Sequence, residues 1–120
     1  MDERLRRGIR EFNDERFFEA HEVWEELWHE YRGTDRTFIQ GLIHLAAGLY
    51  HCQCENEKGA VSQLNKGIQK LQNYVPEYSG VPLELTLKRV EAIAGQMYNG
   101  AYHHTQFPKL LQNETQPTQS

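Results

Sequence analysis

The chain has 120 residues, of which 38% are hydrophobic and 25% charged, and its formal net charge is −4 at pH 7. This length and composition predict a single globular domain with one modest core. The weakly acidic balance disfavours nucleic-acid binding and membrane binding, since both kinds of partner attract basic surfaces.

The two cysteines, Cys52 and Cys54, are separated by one residue. That spacing is poor for a structural disulfide, and two thiolates are too few for a cysteine-only zinc site. The first twenty residues are charged and lack the apolar segment of a secretion signal. Reduced thiols without such a segment predict a cytoplasmic protein.

Apolar residues recur with helical period in five segments, and no strand-like alternation persists. Asn13-Asp14 breaks the pattern and can cap the second helix, Asn56 is expected to cap the fourth, and Pro82 suits a first helical turn. Short connections make neighbouring helices largely antiparallel. The predicted fold is therefore an all-α, compact bundle of about five antiparallel helices with short loops. The segments are about 2–12, 15–31, 36–53, 57–74 and from Pro82 to Asn99.

We expect residues 1–100 to form one helical domain and residues 101–120 to form a C-terminal arm. Phe107, Leu110 and Leu111 are placed to dock this arm on the bundle. The polar stretch from about residue 112 is predicted to be disordered, because it has little apolar surface to bury.

The second helix contains an H-x-x-x-E-x-x-W motif made of His21, Glu25 and Trp28. Spacings of four and three residues place all three along one side of a helix. A helical wheel puts His21 and Glu25 on the flank of the apolar face, apart from most of the neighbouring acids. An imidazole and a carboxylate beside an indole fit either half of a metal site or a hydrogen-bonded brace.

The third helix is apolar around most of its circumference, which predicts a central position. Its polar residues form one narrow strip, which either faces solvent or forms a polar seam with the second helix. In the seam, Arg36 can pair with the carboxylate of Glu25. Alternatively, His21, Glu25, His44 and His51 are the tentative ligands of a divalent metal ion, with Glu22 nearby. The strip consists of Arg36, Gln40, His44 and His51.

Other patterns are weaker indications of a site. His103-His104 is expected to be exposed near the tail, and one His/Glu pair without a second copy fails as a di-iron site unless a dimer completes it. The chain has neither a nucleotide-binding glycine loop nor a Gly-x-Ser-x-Gly elbow.

A set of short motifs extends over about residues 8–80. It consists of Phe12-Asn13, Phe18 to Glu22, Glu25, Trp28, Gly33, Arg36, Gln40 to Leu42, His51, Asn56 and Gly59-Ala60. Taken together, these motifs resemble the bacterial and archaeal family called domain of unknown function 309. The resemblance implies a small helical domain with no established reaction. It also implies a functional role, with metal binding suggested, for the motif that corresponds to His21, Glu25 and Trp28.

These observations support two functions. The first and favoured one is a non-enzymatic helical interaction module, in which the seam of His21, Glu25, Arg36 and Gln40 fixes the packing of two helices. The alternative is a divalent-metal-binding or metal-dependent protein that uses the motif. Apolar surface left uncovered on so small a bundle can support a homodimer, and the sequence identifies no other protein partner.

Overall fold

A computed structural model describes residues 2–102 and 107–110, and over these residues the chain forms five α-helices. The all-α bundle is confirmed. A short 3₁₀ helix, Gln72–Tyr74, extends the fourth helix, and a minimal antiparallel hairpin precedes the fifth. The elements are α1 (Glu3–Asn13), α2 (Phe17–Glu30), α3 (Arg36–Gln53), α4 (Glu57–Leu71), β1 (Glu77–Tyr78), β2 (Val81–Pro82) and α5 (Glu84–Tyr98).

Helix α3 lies at the centre, as its apolar circumference predicts, and packs against both α2 and α4. Phe38, Leu42 and Leu49 on this helix are fully buried. The glycine at position 48 allows α3 and α4 to approach closely. A Cβ atom added there would lie 2.5 Å from a methyl carbon of Leu64. The remaining helices continue this packing, with α1 on α2 and α5 on α4.

Two predicted helix starts are wrong. The side chain of Asn13 does not cap α2, which begins at Phe17 after Arg16 without a side-chain cap. Pro82 lies in β2 rather than in α5, because residues 77 and 82 pair across the hairpin. By contrast, the predicted cap of α4 is confirmed, since Gly59 N donates to Asn56 Oδ1 at 3.1 Å.

The C-terminal arm docks on the bundle over residues 107–110, where Phe107 and Leu110 are buried. Asn13 binds the backbone of Leu110 twice, donating from Nδ2 to its carbonyl at 2.9 Å and accepting its N–H at 2.7 Å. The predicted docking is thus confirmed for these residues. Leu111, the pair His103-His104 and the stretch from 112 lie outside the described residues.

In the part of the chain that the structure describes, none of the helices combines the length and the apolar character needed to cross a membrane.

Candidate functional site

Helix α2 fixes the motif by burying its opposite side in the core. Phe17, Ala20, Trp24 and Leu27 are buried, and the indole N–H of Trp24 donates to the Leu5 carbonyl at 3.1 Å. These contacts set the rotation of α2 about its axis. The helix flank therefore points toward solvent at a defined angle, and His21 and Glu25 lie on that flank.

His21 and Glu25 form a partly solvated pair. His21 Nε2 lies 3.6 Å from Glu25 Oε2, and the two side chains are 27% and 48% exposed. At this exposure an i,i+4 pair contributes little to stability. The other ring nitrogen of His21, Nδ1, is buried and has no hydrogen-bond partner among the described residues. A buried brace would have its polar atoms paired by hydrogen bonds, and neither the solvated His21–Glu25 pair nor Nδ1, which lacks a described partner, fits that description.

An exposed aromatic pair stands beside this histidine. Phe18 is 45% exposed, and its ring stacks on the His21 ring with centroids 6.3 Å apart and an interplanar angle of 23°. Tyr50 of α3, 37% exposed, lies 5.4 Å from the Phe18 ring. We call Phe18, His21, Glu25 and Tyr50 the aromatic surface. Phe18 was identified from the sequence only as part of the family resemblance and not as a site residue, although at about 100° per residue it falls next to Glu25 on the wheel.

The third motif residue, Trp28, belongs to a different arrangement. Arg36 Nη1 donates to the carbonyls of Trp28 and Tyr31, both at 2.8 Å, and its guanidinium carbon lies 3.9 Å from the Trp28 ring centroid. Both carbonyls lie at the C-terminal end of α2, where the helix itself supplies no donors. Arg36 therefore caps α2 with a charge that suits the negative end of the helix dipole. We call Trp28 and Arg36 the brace.

A carboxylate with two phenol partners extends the brace toward the hairpin. Tyr31 OH donates to Asp35 at 3.1 Å, and Tyr78 OH donates to the same carboxylate. The pKa of Tyr78 is raised, mainly by this hydrogen bond, and the pKa of Tyr31 is raised by burial and then by its bond to Asp35. No sequence pattern indicated the link between Asp35 and Tyr78, because it joins residues far apart along the chain.

The polar strip of α3 does not form one seam with α2. His44 Nδ1 lies 2.8 Å from Gln63 Oε1 of α4, and His51 Nδ1 lies 3.1 Å from Nδ2 of the α4 cap Asn56. Only Arg36, at the start of the strip, bonds to α2. Gln40, which follows Arg36 in the strip, is half-buried, and Glu22 of α2 is exposed.

The tentative metal ligands are correspondingly separated. Within residues 2–102 and 107–110, no three His, Cys, Asp or Glu side chains come close enough together to hold a metal ion. The set of His21, Glu25, His44 and His51 is not assembled within one chain, because α3 turns His44 and His51 toward α4. His21 Nε2 and the Glu25 carboxylate remain as two donors that fit half of a site. Cys52 is buried, and burial raises the pKa of its thiol to about 12.

A family model described as "Domain of unknown function (DUF309)" matches residues 5–63. This range contains the whole motif, the aromatic surface and the brace, and it ends within α4. No curated protein matches the chain.

Proposed function

The chain belongs to the family of domain of unknown function 309, and we propose that it is a non-enzymatic helical module that binds a partner protein through the aromatic surface. The observation that carries the proposal is the pair of exposed rings, Phe18 and Tyr50, which come from two helices and contact each other beside His21. Aromatic side chains held in this way are the anchors that protein interfaces favour.

Phe18 is exposed although the residue before it, also a phenylalanine, is buried. Its neighbour Phe17 is 1% exposed and packs edge-on against Phe12 and Phe107. The fold thus buries one phenylalanine of the pair and presents the other to solvent. An exposed phenylalanine that packs against an exposed tyrosine forms a contiguous apolar patch. Such a patch is more typical of a binding surface than a single exposed apolar side chain is.

The charges around the aromatic surface indicate the chemistry of the partner. Glu19, Glu22 and Glu25 are all exposed on α2, and Glu19 is close enough to add to the raised pKa of Tyr50, which is mainly due to a hydrogen bond with Cys54. Acids around an apolar centre complement a helix that carries apolar residues on one face and lysine or arginine beside them. A second copy of the chain would instead bring like charges together. We therefore infer a basic amphipathic helix of another protein as the partner.

Titration with model helices tests this proposal. The probes are an amphipathic peptide built from leucine and lysine and a peptide of equal length in which glutamate replaces lysine. We expect only the basic peptide to shift the amide NMR signals of Phe18 and Tyr50. Phe18→Ser should weaken its binding about tenfold, as loss of an anchor residue does. Tyr98→Ser, which changes a side chain that is 80% exposed on α5, is the matched control.

Three results would overturn the basic-helix proposal. One is equal binding of the two peptides, and another is an affinity that Phe18→Ser leaves unchanged. The third is a dimer in sedimentation equilibrium that Phe18→Ser converts to monomer, which would identify a second copy of the chain as the occupant.

Divalent-metal binding is the second candidate function, supported by the 3.6 Å separation of His21 Nε2 and Glu25 Oε2 at the surface. Two donors from one chain require further ligands from solvent or from a partner. Metal analysis of untagged protein and melting temperatures with added zinc, nickel or manganese test it. A metal effect lost in His21→Ala but kept in His29→Ala, an exposed histidine of the same helix, would support the site. No bound metal and no shift in melting temperature would exclude it.

We also propose a cytoplasmic location, which is supported by the two free cysteines, Cys52 and Cys54. Thiol alkylation of intact cells before lysis checks this. Recovery of the protein with an oxidised Cys54, the exposed one of the two, would contradict a reducing compartment.

A further inference from the structure

A pocket of about 270 Å³ lies where the start of α5, the hairpin and the C-terminal arm meet. Its walls are largely apolar and come from Pro82, Leu85, Phe107 and Pro108. These residues lie after the matched range 5–63 and are not part of the aromatic surface or the brace. The pocket is therefore separate from the proposed partner-binding function.

Hydrogen bonds hold the arm that forms one wall of the pocket. Thr86 Oγ1 of α5 donates to the Lys109 carbonyl at 2.8 Å, and Asn13 of α1 holds Leu110 by two bonds. The wall is therefore fixed to two helices through its backbone. Pockets that bind small molecules are usually preformed in this way, with apolar walls and a few placed polar groups.

The charged side chains that line the pocket are both cations, Arg89 and Lys109. Lys109 Nζ donates to the Asn13 carbonyl at 2.7 Å, and the ammonium keeps two further N–H donors. Arg89 is exposed and has no ion pair within the described parts of the chain. On α5 it lies one turn after Leu85, so its guanidinium shares a helix face with an apolar wall residue.

We propose that this pocket binds a small apolar carboxylate of the medium-chain fatty-acid type. The carboxylate would accept paired hydrogen bonds from the Arg89 guanidinium and one from the Lys109 ammonium. The hydrocarbon chain would lie against Leu85 and Phe107, where Leu85 is otherwise 62% exposed to water. Two cations without carboxylate partners among residues 2–102 and 107–110, on a chain of net charge −4, favour an anionic ligand over a neutral or cationic one.

Calorimetric titration with sodium octanoate, octanol and octylamine below their aggregation concentrations tests the ligand class. Octanoate should bind, with octanol and octylamine at least about tenfold weaker, because only the carboxylate accepts charge-assisted hydrogen bonds. Octanoate affinity should fall as sodium chloride is raised, since exposed charges are screened. In an NMR titration, the amide signals of Leu85, Arg89 and Lys109 should move most.

Arg89→Gln is the decisive variant, because this exposed side chain has no described ion pair whose loss would disturb the fold. It should weaken octanoate binding about tenfold. Arg7→Gln, which removes the same charge from an exposed position on α1, should leave the affinity unchanged. Leu85→Ser should weaken octanoate without changing its preference over octylamine.

The proposal is overturned if octanoate does not bind, or if octanol binds as tightly as octanoate. It is equally overturned if Arg89→Gln and Arg7→Gln have the same affinity, or if the shifted amides lie on α2 and α3.

Discussion

The two ends of the H-x-x-x-E-x-x-W motif have different surroundings. At the N-terminal end, His21 and Glu25 are solvated beside the exposed ring of Phe18. At the C-terminal end, Trp28 is partly buried under the guanidinium of Arg36, which caps α2. One helical stripe thus passes from the solvated aromatic surface to a joint between two helices.

A motif on one helix face therefore need not act as one unit. Arg36 donates to two backbone carbonyls that the helix leaves open and lies over the Trp28 ring, so the brace holds α3 against α2. His21 has a buried nitrogen with no partner among the described residues and a weakly paired second nitrogen. Its surroundings add little to stability, which leaves binding as the role to test.

Truncation of the two aromatic residues should separate the regions most strongly. Trp28→Ala should lower the free energy of unfolding by about 3 kcal/mol, because a large ring packed against the core is lost. Phe18→Ala should cost less than about 1 kcal/mol, because its ring is exposed. Urea denaturation of both variants measures the contrast. Equal costs would mean that Phe18 belongs to the core and not to a binding surface.

Removal of the arginine tests the brace itself. Arg36→Ala should cost about 2 kcal/mol, since two carbonyls lose a charged donor and the indole loses a stacked cation. Arg32→Ala is the matched control. Its exposed guanidinium also donates to two carbonyls of this region, and water can replace it, so the cost should stay below about 1 kcal/mol. If Arg32→Ala costs more than Arg36→Ala, then Arg32 and not Arg36 caps α2.

The phenols around Asp35 should make the brace sensitive to alkaline pH. The folded pKa values of Tyr31 and Tyr78 are raised above the ordinary value of about 10. The folded chain therefore holds these protons more tightly than the unfolded chain does. The resulting stability is fully present below pH about 10 and is lost as the pH rises through the folded pKa values.

Tyr78→Phe should cost about 1 kcal/mol at neutral pH and should reduce the loss of stability above pH 10. Unfolding free energies measured from pH 8 to pH 11 test this, with the exposed Tyr98→Phe as control. A wild-type curve that is parallel to the Tyr78→Phe curve over this range would exclude the bond to Asp35 as the cause.

The smallest effect is expected at the histidine of the motif. His21→Ala should cost less than about 1 kcal/mol, since it removes a weak surface pair together with a buried nitrogen that has no described partner. Thermal denaturation at matched pH checks this, with His29→Ala for comparison. A cost of about 2 kcal/mol or more would place His21 in the brace and remove the distinction between the two ends.

Much of the fold could be predicted from local patterns. The apolar circumference of α3 predicted its central position, and the side chain of Asn56 predicted the start of α4. Pro82 and Asn13 were misassigned because each interacts with another part of the chain. Pro82 pairs with a residue across the hairpin, and Asn13 forms a hydrogen bond with the arm. A local pattern contains no information about such partners.

The helical bundle, the family and the side of α2 on which His21, Glu25 and Trp28 lie could be read from the amino-acid sequence alone. These properties depend on the periodicity of one segment or on a set of residues read in order. The folded chain was needed to show that Arg36 reaches α2 while His44 and His51 face α4, and that Phe18 meets Tyr50. The rotation of α3 between its two neighbours sets those contacts, and it depends on close packing such as that of Gly48 against Leu64.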